Sequence, residues 1–161
     1  MWDNYPIQNP HFNSIWKWFE KNVENEKFVI SDVALEEVKQ KVLYDSLKAD
    51  VPESELFIEI LDKILVDQKS VVDLKTIGKI KNLLEIEEDN YHSNVVGEND
   101  LFIVAIAKRT NSILVTNEGR QLDIQKIKVK GKYKIPAVCN LSEVQVDNIN
   151  LTELLHLNTL W

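Results

Sequence analysis

The sequence predicts an α/β domain in which helices flank a largely parallel sheet. Three observations carry that expectation. Apolar residues recur at helical spacing through much of the chain, the strand candidates between them are short and wholly apolar, and the two kinds of segment alternate along the chain. With 161 residues, and only 4 Gly and 4 Pro to punctuate them, the reading is one domain, 1–161, with short linkers and one sizeable core.

Taken in order, Phe12, Ile15, Trp16, Phe19 and Val23 form the apolar stripe of a first helix. Trp16, Trp18, Phe12 and Phe19 read as core and not as stacking platforms for bases. Lys27-Phe28-Val29-Ile30-Ser31 is a short buried strand, and Ser31 or Asp32 caps a helix carrying Val33, Leu35, Val38, Val42 and Leu47. Pro52 suits the first turn of another helix, with Phe57, Ile60, Leu61, Ile64 and Leu65 on one face. Asp73 to Leu84 repeats the pattern through Leu74, Ile77, Ile80 and Leu84, and residues 85–96, acidic and polar, form a loop.

Seven apolar residues then run together from Leu101 to Ala107, between Gly97-Glu98-Asn99-Asp100 and Lys108-Arg109. Periodicity alone does not separate helix from strand in such a run. The alanines, the polar start and the basic end favour a buried helix. Ser112 to Thr116 is a short strand leading into Asn117-Glu118-Gly119. The tail offers a strand near 144–149 and a helix from Thr152 to His156.

Composition excludes several classes. No apolar run reaches the roughly 18 residues of a membrane span, so no membrane partner is expected. The start, MWDNYPIQNP, lacks the basic and apolar regions of a signal peptide. Cys139 is the one cysteine, which removes a disulfide framework and a cysteine-rich zinc site and fits a reducing cytoplasm. Cys139 also lacks a nearby His that could activate it, and His11, His92 and His156 have no zinc-ligand spacing. There is no phosphate-binding glycine loop and no nucleophile elbow. A net charge of −7 argues against a broad nucleic-acid surface but leaves room for an acidic metal pocket beside a local basic patch.

Carboxylates are what remains. In parallel α/β folds, sites gather at the carboxyl ends of strands. Glu118 stands two residues past one expected strand, Glu36 and Glu37 follow another, and Asp100 opens the helix before the strand that delivers Glu118. Converging carboxylates are hard oxygen ligands for Mg²⁺ or Mn²⁺, and such a metal can polarise a phosphodiester and activate water. The bland alternative is that each is a solvated helix residue. Lys126, Lys128, Lys130, Lys132 and Lys134 occupy alternate positions. They read either as a basic rail for a phosphate backbone or as the outer face of an edge strand or a hairpin about Lys130-Gly131, with Ile127, Val129, Tyr133 and Ile135 inward.

The stretches Ile30-Ser31-Asp32-Val33-Ala34-Leu35-Glu36-Glu37-Val38, Glu98 to Ala107 and Val115-Thr116-Asn117-Glu118, in that order, resemble PIN-domain nucleases. The closer likeness is to a stand-alone PIN-like branch similar to the VapC-type toxins of toxin–antitoxin modules. That branch has a Trp-rich first helix, as in Ile15-Trp16-Lys17-Trp18-Phe19, and a motif like Lys134-Ile135-Pro136-Ala137-Val138-Cys139. Each motif is weak alone; their order and spacing cover most of the chain.

The resemblance implies a three-layer α/β/α sandwich with a parallel sheet, Mg²⁺ or Mn²⁺ held by acidic residues, cleavage of single-stranded RNA, and an antitoxin partner. Glu37 matches the helix glutamate, with Glu36 as a one-residue alternative. Asp100 matches the aspartate opening the buried helix, and Glu118 the acid of the Thr-x-acid corner that Thr116 and Asn117 shape. Glu98 and Asn99 stand as outer groups. The family also begins with a strand ending in a ligating Asp, and Met1 falls just after the position of that strand. The expectation is therefore a truncated or misassigned start and an impaired nuclease, or a sheet completed by a homodimer or a borrowed strand. The competing expectations are a non-catalytic PIN-like module that binds RNA or protein, and a purely structural protein.

Overall fold

The computed structural model describes residues 9–48, 53–87, 91, 96–121, 127–128 and 132–157, except for the side chains of residues 10, 42–48 and 53–56. The described chain is mixed α/β, with seven α-helices and short strands paired in parallel. It divides into two compact units, Met1–Gln68 and Lys69–Trp161.

In the first unit, helix α1 (Asn13–Glu24) follows a 3₁₀ turn at Pro10–Phe12. Its stripe buries Trp16 and Val23 against Phe57, Ile60, Leu61 and Ile64, with Phe12, Phe19 and Phe28 packed on the cluster. Trp16 meets Phe19 and Phe57 edge-on, with centroids 5.9 and 5.4 Å apart, the arrangement the ring quadrupoles favour. Trp16 is therefore core with Phe12 and Phe19 packed on it, as expected from their spacing, whereas Trp18 is half-buried and edge-on to Phe28. Strand β1 (Val29–Ser31) leads directly into α2 (Asp32–Lys48). Both candidate caps act there: the Ala34 N–H donates to Ser31 Oγ (3.1 Å) and the Val33 N–H to Asp32 Oδ1 (2.8 Å). Helix α3 (Glu53–Lys63) returns the chain to β2 (Leu65–Asp67), which pairs in parallel with β1 so that Ser31 stands opposite Asp67. Leu65, expected on the helix face, is instead the first residue of this strand and is exposed. Pro52 lies outside the described residues.

In the second unit, α4 (Val71–Leu84) and α5 (Glu98–Thr110) pack along each other. Helix α4 starts from a reciprocal cap: Ser70 Oγ accepts from the Asp73 N–H, and Asp73 accepts from the Ser70 N–H at 2.8 Å. Leu101, Phe102, Val104, Ala105, Ile106 and Ala107 are all buried, which is why α5 shows no single apolar face in sequence. It ends at Asn111, in the left-handed conformation (φ 52), with the Ser112 N–H closing back on Ala107 O (3.0 Å). Strand β3 (Leu114–Val115) pairs in parallel with β4 (Asn148–Ile149). Helix α6 (Ile135–Cys139) is five buried residues long, and α7 (Leu151–Leu157) ends the described chain.

The strand expected over 144–149 is confined to Asn148–Ile149, because Val144 and Val146 are buried in a turn that Lys108 fastens through the carbonyls of Glu143 and Val144. The edge strand or hairpin expected around Lys130-Gly131 is not seen among the described residues 127–128 and 132–134, which carry no strand; its apex lies outside the described residues. Tyr133 is buried as that reading required, but Ile135 starts α6.

Candidate functional site

The best-defined polar constellation lies in the second unit, around Thr116-Asn117-Glu118 at the carboxyl end of β3. The Thr116 N–H donates to Ile149 O (2.9 Å), extending the ladder by one bond. Thr116 Oγ1 accepts from the Glu118 N–H (3.2 Å), and Asn117 Oδ1 accepts from the Leu151 N–H (3.1 Å), which fixes the corner to the start of α7. Arg120 Nη2 donates to both carboxylate oxygens of Glu153 at 2.9 Å, and Glu153 in turn forms a capping box with Asn150. Thr116 and Asn117 thus hold the corner in shape.

Glu118 Oε2 accepts from the Ile135 N–H at 2.7 Å. Pro136 follows and has no N–H, so Ile135 supplies the first amide donor of α6, and Glu118 satisfies it from outside the helix. Asp100 does a similar task at the start of α5: its Oδ2 accepts from the Gly97 N–H (2.8 Å). One residue earlier, the Val96 N–H donates to Tyr133 O (3.2 Å). Gln121 reads the same segment from the other side, donating to Lys132 O (3.0 Å) and accepting from the Lys134 N–H (2.8 Å). Residues 133–135 therefore tie the turn that Asp100 orients to the corner that carries Glu118. Both carboxylates are half-buried; Glu98, Asn99 and Asn117 are exposed.

Glu36 and Glu37 belong to the first unit, where both are exposed on α2. Lys128 and Lys132 are exposed, whereas Lys126 and Lys130 lie outside the described residues. Among the described residues, no group of three or more His, Cys, Asp or Glu side chains stands together as a metal centre. Cys139 is fully buried and its thiol is pushed up to about 12 by that burial, which agrees with an inert core side chain.

The roles of four polar residues went unread in the sequence. Asp67 closes β2 opposite Ser31; its signal was the apolar run Ile64-Leu65-Val66 ending in an acid, masked by continuity with the preceding helix. Gln121 and Arg120 follow Gly119 and carry no motif. Asp73 is wholly buried: Arg109 Nε donates to its Oδ1 (2.9 Å), and the Ser70 N–H and Oγ donate to its Oδ2 (2.8 and 2.9 Å). Burial raises its pKa, and the hydrogen bonds from Arg109 and Ser70 with the guanidinium charge outweigh that, so its carboxyl titrates below the usual range.

A family model described as "Domain of unknown function (DUF4411)" matches residues 3–160. The chain belongs to that family. The match spans both units, so the Trp-rich first helix and the Thr-x-acid corner both lie within it. No curated protein matches the chain. Among the described residues of this DUF4411 chain, no helix is long and apolar enough to cross a membrane.

Proposed function

We propose that this protein is a metal-dependent endoribonuclease of PIN type, acting on single-stranded RNA, with the three-layer α/β/α architecture and the toxin-like setting that go with that reading. The observation that carries it is that Glu118, just past the carboxyl end of a parallel strand, and Asp100, at the start of α5, each accept a backbone N–H from turns that residues 133–135 join. Supporting it are the parallel sense of both strand pairs and the buried helix that Asp100 opens.

The donor set fits Mg²⁺ or Mn²⁺ by its chemistry. Asp100 and Glu118 are hard oxygen donors, and Mg²⁺ is commonly held by one or two carboxylates plus phosphate oxygens and water. What the cation supplies, when bound, is polarisation of the phosphodiester and an activated water. The chain's own part is to hold Asp100 and Glu118 against backbone N–H groups, so that neither carboxylate swings away between turnovers. Exposed Lys128 and Lys132 supply phosphate contacts. Glu37, with Glu36 as its alternative, is an acid that the resemblance alone assigns.

The test is cleavage of a labelled single-stranded RNA with Mn²⁺ or Mg²⁺. Cleavage is expected from the native chain and is lost in Asp100→Asn and Glu118→Gln, and Mn²⁺ should raise the melting temperature of the native chain only. Metal-dependent cleavage undiminished in both variants overturns the assignment of the site. The lack of a three-carboxylate group among the described residues favours a second reading, a non-catalytic module of the same fold. RNA binding that survives EDTA, without cleavage under either metal, would establish it.

A further inference from the structure

The first turns of α4 are anchored on their inner side and bare on their outer side. Asp73 is wholly buried, bonded to Ser70 and to Arg109 of α5, and Ile77, Ile80 and Leu84 fill the inner face. That leaves Val71, Val72 and Leu74 exposed to 71%, 57% and 56%. At 3.6 residues per turn, Leu74, Gly78, Val71, Lys75, Lys79 and Val72 follow one another around the outer half of the helix. Gly78, Lys75 and Lys79 are exposed as well, and Lys69 flanks the helix start with its Nζ over the Phe102 ring at 4.3 Å.

Gly78 needs a reason. Glycine inside a helix weakens it relative to alanine. Its φ is not positive, and among the described residues nothing lies within 4 Å of where a Cβ would stand. Neither its own conformation nor internal packing calls for the missing side chain. It lies on the stripe of Val71 and Leu74, where its absence lets another backbone approach closely.

We propose that this face of α4 docks an acidic amphipathic segment of a protein partner, its apolar residues on Val71, Leu74 and Gly78 and its carboxylates on Lys75 and Lys79. Charge complementarity selects the occupant. A chain of net charge −7 presents lysines here beside an apolar stripe, which suits a segment of apolar residues flanked by Asp or Glu. A second copy meeting this face by a two-fold axis would set these lysines against themselves. An anionic lipid surface would meet three apolar side chains on a chain that is acidic overall.

A phage-displayed library of short random peptides, selected on the full chain and counter-selected on Lys75→Glu/Lys79→Glu, tests this. The expected result is enrichment of acidic sequences with apolar residues at helical spacing. A synthetic copy should lose affinity at least about tenfold, by fluorescence anisotropy, for the double variant and for Gly78→Gln, both with unchanged circular dichroism. Gly78→Ala should raise the melting temperature by about 3 °C, since nothing inside the chain needs that glycine. The proposal is overturned if no such sequence is enriched, or if the enriched peptides bind the variants equally well. It is also overturned if the native chain sediments as a dimer that both variants dissociate, or pellets with phosphatidylserine vesicles only while the lysines are intact.

Discussion

Replacing Arg109 by methionine keeps the apolar stem and removes the charge that faces Asp73. The carboxylate it leaves has no solvent exposure and retains only the two bonds from Ser70. Removing one partner of a buried ion pair costs about 3–5 kcal/mol. Because Arg109 is itself 29% exposed, and Ser70 remains, the lower end applies, about 3 kcal/mol, or a fall of about 6–12 °C in melting temperature.

The loss should also depend on pH. In the native chain the folded pKa of Asp73 is depressed, so its contribution is present above the ordinary carboxylate value and is lost as pH falls through the folded one. In Arg109→Met, burial acts with far less opposition and the folded pKa rises, so the folded variant takes up a proton before the unfolded chain does. The gap between the two proteins should therefore be widest near neutrality and narrow as pH falls toward about 4. Urea unfolding at a series of pH values measures it. A gap under about 1 kcal/mol, unchanged across that range, would refute the account of Asp73 as a buried charge held by Arg109.

Glu118→Ala should destabilise the chain by about 1 kcal/mol by orphaning the Ile135 N–H, whereas Glu118→Gln, which keeps an acceptor, should unfold close to the native protein in the same urea titration. Cys139 should resist a thiol reagent until denaturant is added. With its thiol pushed up to about 12, the folded state keeps a proton that the unfolded chain gives up, so stability should decline as pH climbs past about 8.5, and Cys139→Ala should lose that decline. Trp16→Ala should cost about 3–5 kcal/mol, read from chemical denaturation, because the ring is 4% exposed and packed edge-on to Phe19 and Phe57.

Helices with one apolar stripe were legible in the sequence, because Trp16 and Val23, or Ile77, Ile80 and Leu84, recur at the spacing that buries them. Helix α5 was legible through its ends, since its middle is buried all round. Two features hid in the noise. Helix α6 is too short for periodicity, and its Ile135-Pro136 start is stabilised by Glu118, seventeen residues away in the chain. Strand β2 follows α3 with one residue between them, so an apolar run spans both. The candidate acids were legible only as residues near the ends of expected elements. That Asp100 and Glu118 each terminate a backbone hydrogen-bond pattern was not, because their partners, Gly97 and Ile135, offer main-chain groups that every sequence carries.

The β3–β4 pair is only two residues deep on each strand. So shallow a ladder has little cooperativity of its own, and the Thr116–Glu118 corner keeps its shape through side chains reaching to α6 and α7. In deuterated solvent, the amides of α4 and α5 should therefore be the last of this unit to exchange, while Leu114 and Thr116 exchange through openings far smaller than global unfolding. The corner bearing Glu118 is thus expected to be the part of the unit most readily loosened, where any ligand of that corner would be felt first as slower exchange.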